Sequence, residues 1–307
     1  MNHANATAPG PAGRTDVTFA AGDGTSLAAW LYRPEGPPPD EGFPCIVMSH
    51  GFGGLRRMGL DSYASVFAAA GLASLVYDHR NWGDSGGEPR YETNPWQQVD
   101  DMRDAVTFAR QLDGVDATRI GVWGTSFAGG HALVMGALDR RVSVVVAQVP
   151  FVDGANLGDD DGDDAALVAA LDADRDARFL GQPPRTTRLA SDDSPTADWA
   201  RQVDVDGVWP NRTTLRSLEL MATYSPTAFA SRITPTPMLM IVADEDEWVP
   251  ASLQLAAYEA AAEPKELLRL PCKHYDPYTT YLDESATAAC EFLVRHLSAA
   301  PSVEVSP

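Results

Sequence analysis

At 307 residues, 44% of them hydrophobic, the chain can form one large α/β domain or a core with an insertion. Its formal net charge of −20 argues against nucleic acid and anionic membranes as partners, and is otherwise a solvated acidic surface. Cys45, Cys272 and Cys290 are widely spaced, with no C-x-x-C pair, no leader and no membrane-length apolar run, so a reducing, cytoplasmic setting is expected.

Residues 1–14 are small, polar and rich in Pro and Gly, and are expected to be loose. Stretches 16–20 and 27–32 read as a strand pair turning at Gly22-Asp23-Gly24. A Pro/Gly-rich loop over 34–44 leads into a buried strand at 45–49, followed by His50-Gly51-Phe52-Gly53-Gly54. A helix over 60–70 ends at Gly71, and a buried strand covers 72–77. Asn94-Pro95 supplies an N-cap and a proline at the first helical position. Val99, Met102, Val106 and Ala109 then repeat at helical spacing. A strand at 120–123, a helix at 127–138 and a strand at 142–149 complete an alternation that predicts a parallel sheet covered by helices on both faces.

From 151 to 233 that rhythm lapses into acidic sequence with Pro183-Pro184 and scattered tryptophans. It resumes with a strand at 238–242, a helix at 252–262, a strand at 266–270 and a helix at 285–297. The expected architecture is a core in two parts, 15–150 and 234–298, interrupted by a mostly helical lid at 151–233. A loose tail follows at 299–307.

The chemistry concentrates in Ile120-Gly121-Val122-Trp123-Gly124-Thr125-Ser126-Phe127-Ala128-Gly129-Gly130, where a serine joins a strand to a helix. Such an elbow lifts a hydroxyl clear of the sheet, and its strained backbone demands small neighbours two residues before and after the serine. Gly124 and Ala128 meet that demand. A serine hydroxyl needs a base to take its proton and an acid to orient the base, in the chain order Ser, acid, His. Ala243-Asp244-Glu245-Asp246-Glu247-Trp248-Val249-Pro250 follows one late strand, and Pro271-Cys272-Lys273-His274-Tyr275-Asp276 follows the next. Catalytic groups gather at the carboxyl ends of strands in open α/β sheets.

Of the six histidines only His274 has both order and position. His3 lies in the N-terminal stretch, His50 is read as a brace for its loop, and His79, His131 and His296 as structural. Asp246 is preferred over Asp244 as the acid, because it stands three residues before Val249-Pro250, which leaves the loop room to turn back. The Phe127 amide and the Phe52 amide of the His50–Gly54 loop are the expected oxyanion donors. Trp248, Trp209 and Tyr224, with Trp199, are candidate pocket residues, weighed against ordinary core packing.

Through GTSFAGG, HGFGG, ADEDEWVP and PCKHYD the chain resembles the α/β-hydrolase superfamily. The segments YDHRNWGDSGGEPR and NRTTLRSLELMATYSPTAFASRITPTPMLMIVADED resemble a narrower group of bacterial hydrolases together with fungal polyketide transferases and thioester hydrolases of secondary metabolism. Ala128 and Ala243 stand where the broader family usually has glycine. The resemblance implies a Ser126–Asp246–His274 triad and ester or thioester chemistry, on a polyketide-like or other small acyl substrate, free or carrier-bound. Transfer of the acyl group to an alcohol or amine is the alternative, with a silent ligand-binding scaffold a distant third.

Two acidic runs fail as metal motifs. Asp159-Asp160-Asp161-Gly162-Asp163-Asp164 puts Leu157 at the first ligand position of a calcium loop, and Asp172-Ala173-Asp174-Arg175-Asp176 lacks the glycine and distal acid. Gly83 to Gly87 lacks nucleotide-binding spacing, so no metal or organic cofactor is expected. Oligomeric state is not readable from these patterns.

Overall fold

The computed structural model describes residues 13–156 and 164–298. The expectations for residues 1–12, for the 299–307 tail and for most of the 159–164 acidic run lie outside the described residues. Arg14, expected in the loose N-terminus, instead opens the first strand.

β1 (Arg14–Ala20) and β2 (Ser26–Tyr32) pair antiparallel. The chain continues through β3 (Phe43–Ser49), α1 (Leu60–Ala69), β4 (Ala73–Tyr77), α2 (Pro95–Ala109), β5 (Val115–Thr125), α3 (Phe127–Leu138) and β6 (Val142–Gln148). Between β6 and the next core strand lie α4 (Asp164–Phe179), β7 (Thr186–Thr187), α5 (Pro195–Val203), β8 (Thr213–Thr214), α6 (Leu215–Ala222) and a 3-10 turn at Pro226–Arg232. β9 (Met238–Ala243), α7 (Ala251–Ala260), β10 (Lys265–Leu270) and α8 (Leu282–Leu297) close the fold. One eight-stranded sheet runs β1-β2-β4-β3-β5-β6-β9-β10, parallel from β4 onward, while β7 and β8 form a separate two-residue ladder.

Side chains alternate across this sheet as the strand period requires. Cys45 and Val47 of β3 face the layer of α2, α3 and α7, whereas Ile46 and Met48 face that of α1 and α8. The other core strands follow suit, with Val145 and Ala147 against Val144 and Val146 in β6. Burial on both faces explains why these strands read as unbroken apolar runs. β5 starts five residues earlier than its apolar core predicts, because Val115 to Arg119 are mostly half-exposed and carry no apolar signal.

Asn94 caps α2 by accepting from the Trp96 and Gln97 amides, with Pro95 at the first helical position. Cys45, Cys272 and Cys290 are free and buried. Among the described residues no helix is long and apolar enough to cross a membrane.

Candidate active site

Strand register brings the candidate groups to one edge of the sheet. Ser49 of β3 pairs with Gly124 of β5, and Thr125 pairs with Gln148 of β6, so the His50 loop and Ser126 leave the sheet side by side. Leu270 pairs with Ala243, and the loops beyond them stay joined: the Asp244 amide donates to the Leu270 carbonyl at 2.8 Å and the Glu245 amide to Cys272 at 3.0 Å.

Ser126 occupies φ 55°, ψ −121°, a region few side chains tolerate. Its crowding is specific. A Cβ at Gly124 would overlap the Ala128 carbonyl, and one at Gly51 would lie 2.8 Å from the Ser126 Cβ. The amides of Ser126 and Phe151 bond to the Gln148 and Ser126 carbonyls at 2.9 and 2.8 Å, fixing the elbow to the end of β6.

The Ser126 hydroxyl lies 3.0 Å from His274 Nε2, and His274 Nδ1 lies 2.7 Å from Asp246 Oδ2. Because a carboxylate only accepts, Nδ1 carries the proton and Nε2 presents its lone pair to the serine. Asp246 Oδ1 accepts from the Trp248 and Val249 amides at 2.9 and 2.8 Å, and Oδ2 also accepts from Gln254 Nε2 at 3.0 Å. His274 and Asp246 are 3% and 8% exposed, so this hydrogen-bonded line is shielded from competing water. Asp244 points elsewhere, pairing with Arg269 at 2.8 Å.

His50 and His131 are engaged on both ring nitrogens. His50 Nε2 accepts from the His79 amide at 3.2 Å, which leaves Nδ1–H for the Gly51 carbonyl at 2.9 Å. His131 Nε2 faces Gln98 Oε1 at 3.0 Å, so Nδ1 accepts from the Tyr224 hydroxyl at 2.8 Å. Burial lowers the pKa of His50, lowers that of His79 strongly and brings His131 to about 3.

The YDHRNWGDSGG stretch braces the loop that carries Phe52. Buried Asp78 accepts from the Arg56 amide at 2.8 Å and the Asp84 amide at 3.0 Å and pairs with the Arg56 guanidinium. Gly83 is confined beside it, since a Cβ there would overlap the Asp78 carboxylate.

A cavity of about 310 Å³ opens over Ser126 and His274. Phe52, Leu55, Met58, Phe127 and Phe151 form its core-side walls, and Leu189, Trp199, Trp209, Leu218 and Met221 come from the chain between β6 and β9. Trp248 also lines it and is 44% exposed. Trp209 is anchored by its indole N–H on the Gly53 carbonyl at 2.9 Å. Tyr224 is a correction: it is fully buried behind Phe127, bonds to His131 and does not line the cavity.

Several residues escaped sequence reading. Gln254 buttresses Asp246, and Tyr275 and Tyr278 line the cavity just after His274. Tyr278 joins its hydroxyl to Thr125, whose Oγ1 also lies 3.3 Å from Gln148 Nε2. A lone glutamine within the apolar segment ASLQLAAY was the available signal for Gln254. The tyrosines carried none, as aromatic residues after a strand usually pack in cores.

A family model described as X-Pro dipeptidyl-peptidase (S15 family) matches residues 23–276. The chain is 35% identical over 256 residues to the quorum-quenching protein AidA of Acinetobacter baumannii (strain MDR-ZJ06), covering 80% of this chain and 83% of that one. It is 31% identical over 266 residues to a thiohydrolase of Eupenicillium brefeldianum, covering 82% and 84%. The polyketide transferase grgF of Penicillium sp is 29% identical over 294 residues, covering 93% and 97%. The crystal structure of alpha/beta hydrolase GrgF from Penicillium sp. sh18 superposes with a TM-score of 0.81 at 27% identity, covering 93% of this chain and 99% of that one. On the extent of these matches, and with the sheet order described above, the chain belongs to the X-Pro dipeptidyl-peptidase (S15) family within the α/β-hydrolase superfamily.

Proposed function

We propose that the protein is a serine hydrolase that cleaves an ester or thioester of a small, apolar, polyketide-like acyl group through an acyl-enzyme. The observation that carries this reading is the continuous line from Ser126 Oγ to His274 Nε2 at 3.0 Å and from His274 Nδ1 to Asp246 at 2.7 Å, at the floor of an apolar cavity. His274 takes the serine proton as Oγ attacks the carbonyl carbon, and Asp246 stabilises the imidazolium. The amides of Phe127 and Phe52 receive the developing oxyanion. His274 returns the proton to the departing alcohol or thiol, and water, deprotonated by the same base, releases the acid.

The chain between β6 and β9 acts as the lid, supplying the tryptophan, leucine and methionine walls that seat the acyl group. The thiohydrolase and polyketide transferase relatives support acyl chemistry of this kind. A dipeptide with a free ammonium fits less well. Among the described residues lining the cavity there is no Asp or Glu to hold that charge, and Arg188 would repel it.

Ser126→Ala tests the reading. Hydrolysis of an activated short-chain ester or thioester is expected to fall about 10⁴-fold or more, with loss of labelling by a serine-directed phosphonate. A fully active variant overturns the assignment. Passing the acyl group to an alcohol or amine, the reaction named for the transferase relative, uses the same intermediate, and product analysis with candidate acceptors separates the two.

A further inference from the structure

We propose that Gln254 is a positioning residue that holds Asp246 in the orientation His274 needs, a reading that rests on the triad above. Gln254 sits in the first turn of α7, fully buried, and its Nε2 donates to Asp246 Oδ2 at 3.0 Å and to the Val249 carbonyl at 2.7 Å. Both partners are acceptors, so only the NH₂ end of the amide can face them. The opposite end, Oε1, is buried and has no hydrogen-bond partner among the described residues. A side chain selected only to fill space would leave no such orphan, because apolar residues of the same volume avoid that penalty. The amide is retained for its donors, and one of them lands on the same oxygen that binds the imidazole.

The consequence is geometric. Oδ1 is fixed by the Trp248 and Val249 amides, and Oδ2 by His274 and Gln254. Four donors leave the carboxylate no freedom to rotate away from the histidine. Gln254 does not line the cavity, so it acts on the histidine through Asp246 and not on the substrate.

Other titratable groups nearby are engaged elsewhere or exposed. On the loop after β9, Asp244 pairs with Arg269 and Glu247 with Lys273, and Glu245 is exposed. On the loop after β10, Asp276 accepts from the Lys273 amide, Tyr275 bonds to Thr196 and Tyr278 to Thr125. Burial and the surrounding carboxylates push the Cys272 thiol up to about 12.

Two near-isosteric variants test the role against an activated short-chain ester, with active sites counted by phosphonate titration. Gln254→Met removes both donors, and kcat per active site is expected to fall about 10- to 100-fold at every pH, with KM unchanged. Gln254→Glu places two carboxyl groups on one site, where they share a proton. While that proton is present, its O–H replaces the amide donor. The Gln254→Glu variant should therefore approach wild-type kcat at the acid end of the profile and lose it as pH rises and the shared proton leaves.

Wild-type kcat in Gln254→Met, or a wild-type pH profile in Gln254→Glu, overturns the role. The glutamate variant decides alone if the methionine variant folds poorly. Phosphonate labelling of the wild type keeps the two readings apart: labelled enzyme with unaltered variant kinetics removes only the Gln254 role, whereas unlabelled enzyme removes the triad and this role with it.

Discussion

At the scale of single residues, the site is a set of neighbours chosen by what they leave room for. A side chain at Gly124 would overlap the Ala128 carbonyl and one at Gly51 would press on Ser126, so either would displace the elbow. The two aspartates of the β9–α7 loop show how position decides role. Asp246 is 8% exposed and takes its hydrogen bonds from His274, two amides and Gln254, whereas Asp244 faces solvent and Arg269. Asp246→Asn should lower kcat by about 10⁴-fold, because the amide favours the wrong histidine tautomer. Asp244→Asn should stay within about twofold, the scale of a surface ion pair. Steady-state kinetics on both variants checks this, and equal losses would sink the distinction.

At the scale of elements, α5 is pinned to the loop that carries His274. Trp199 stacks on Tyr275 with ring centroids 4.8 Å apart and 16° between planes, and Thr196 Oγ1 lies 2.8 Å from the Tyr275 hydroxyl. Tyr275 in turn meets the His274 imidazole edge-on at 5.0 Å. Acyl groups long enough to reach Trp199 should feel its loss, and the smallest should not. Trp199→Ala is expected to raise KM for a medium-chain ester about 3- to 10-fold and leave an acetyl ester within about twofold. A uniform change across chain lengths would count against the wall assigned to α5. The elements of the core were legible because β3, β6 and β9 are mostly apolar and α2 carries its own cap. The chain between β6 and β9 was not. β7 and β8 are two residues each, and the α4 sequence mixes exposed Leu167 and Val168 with buried Asp174.

At the scale of the whole molecule, stability should depend on three imidazoles packed edge to face behind the site. His50 and His79 have ring centroids 4.6 Å apart, His79 and His131 5.6 Å, and all three are buried. Burial disfavours the imidazolium, so each folded pKa lies below the unfolded value of about 6.5. The neutral rings contribute fully above that value. Their contribution is lost as pH falls below it, down to about 3 for His131. The melting temperature should hold from pH 7 to 8 and drop steeply between pH 6 and 4, as calorimetry would record. A flat profile there would mean that relief of carboxylate repulsion outweighs the cost of charging the rings, and would sink the prediction. The surplus of carboxylates on a chain of net charge −20 moves the other way on acidification, since their mutual repulsion falls as they protonate.

What the sequence determined by itself is the order of the core strands and helices, the serine elbow and the sequential placement of Asp246 and His274. These follow from local causes: apolar runs buried on both faces of a parallel sheet, caps and small residues at forced turns, and loops that must begin where strands end. Only the tertiary structure decided which tryptophans face the cavity, that Tyr224 serves His131 instead, and that Gln254 reaches Asp246 from the next helix. Those outcomes depend on side chains meeting across elements distant in the chain. Such contacts leave no periodicity to read, because their partners are set by packing and by the need of buried polar atoms for one another.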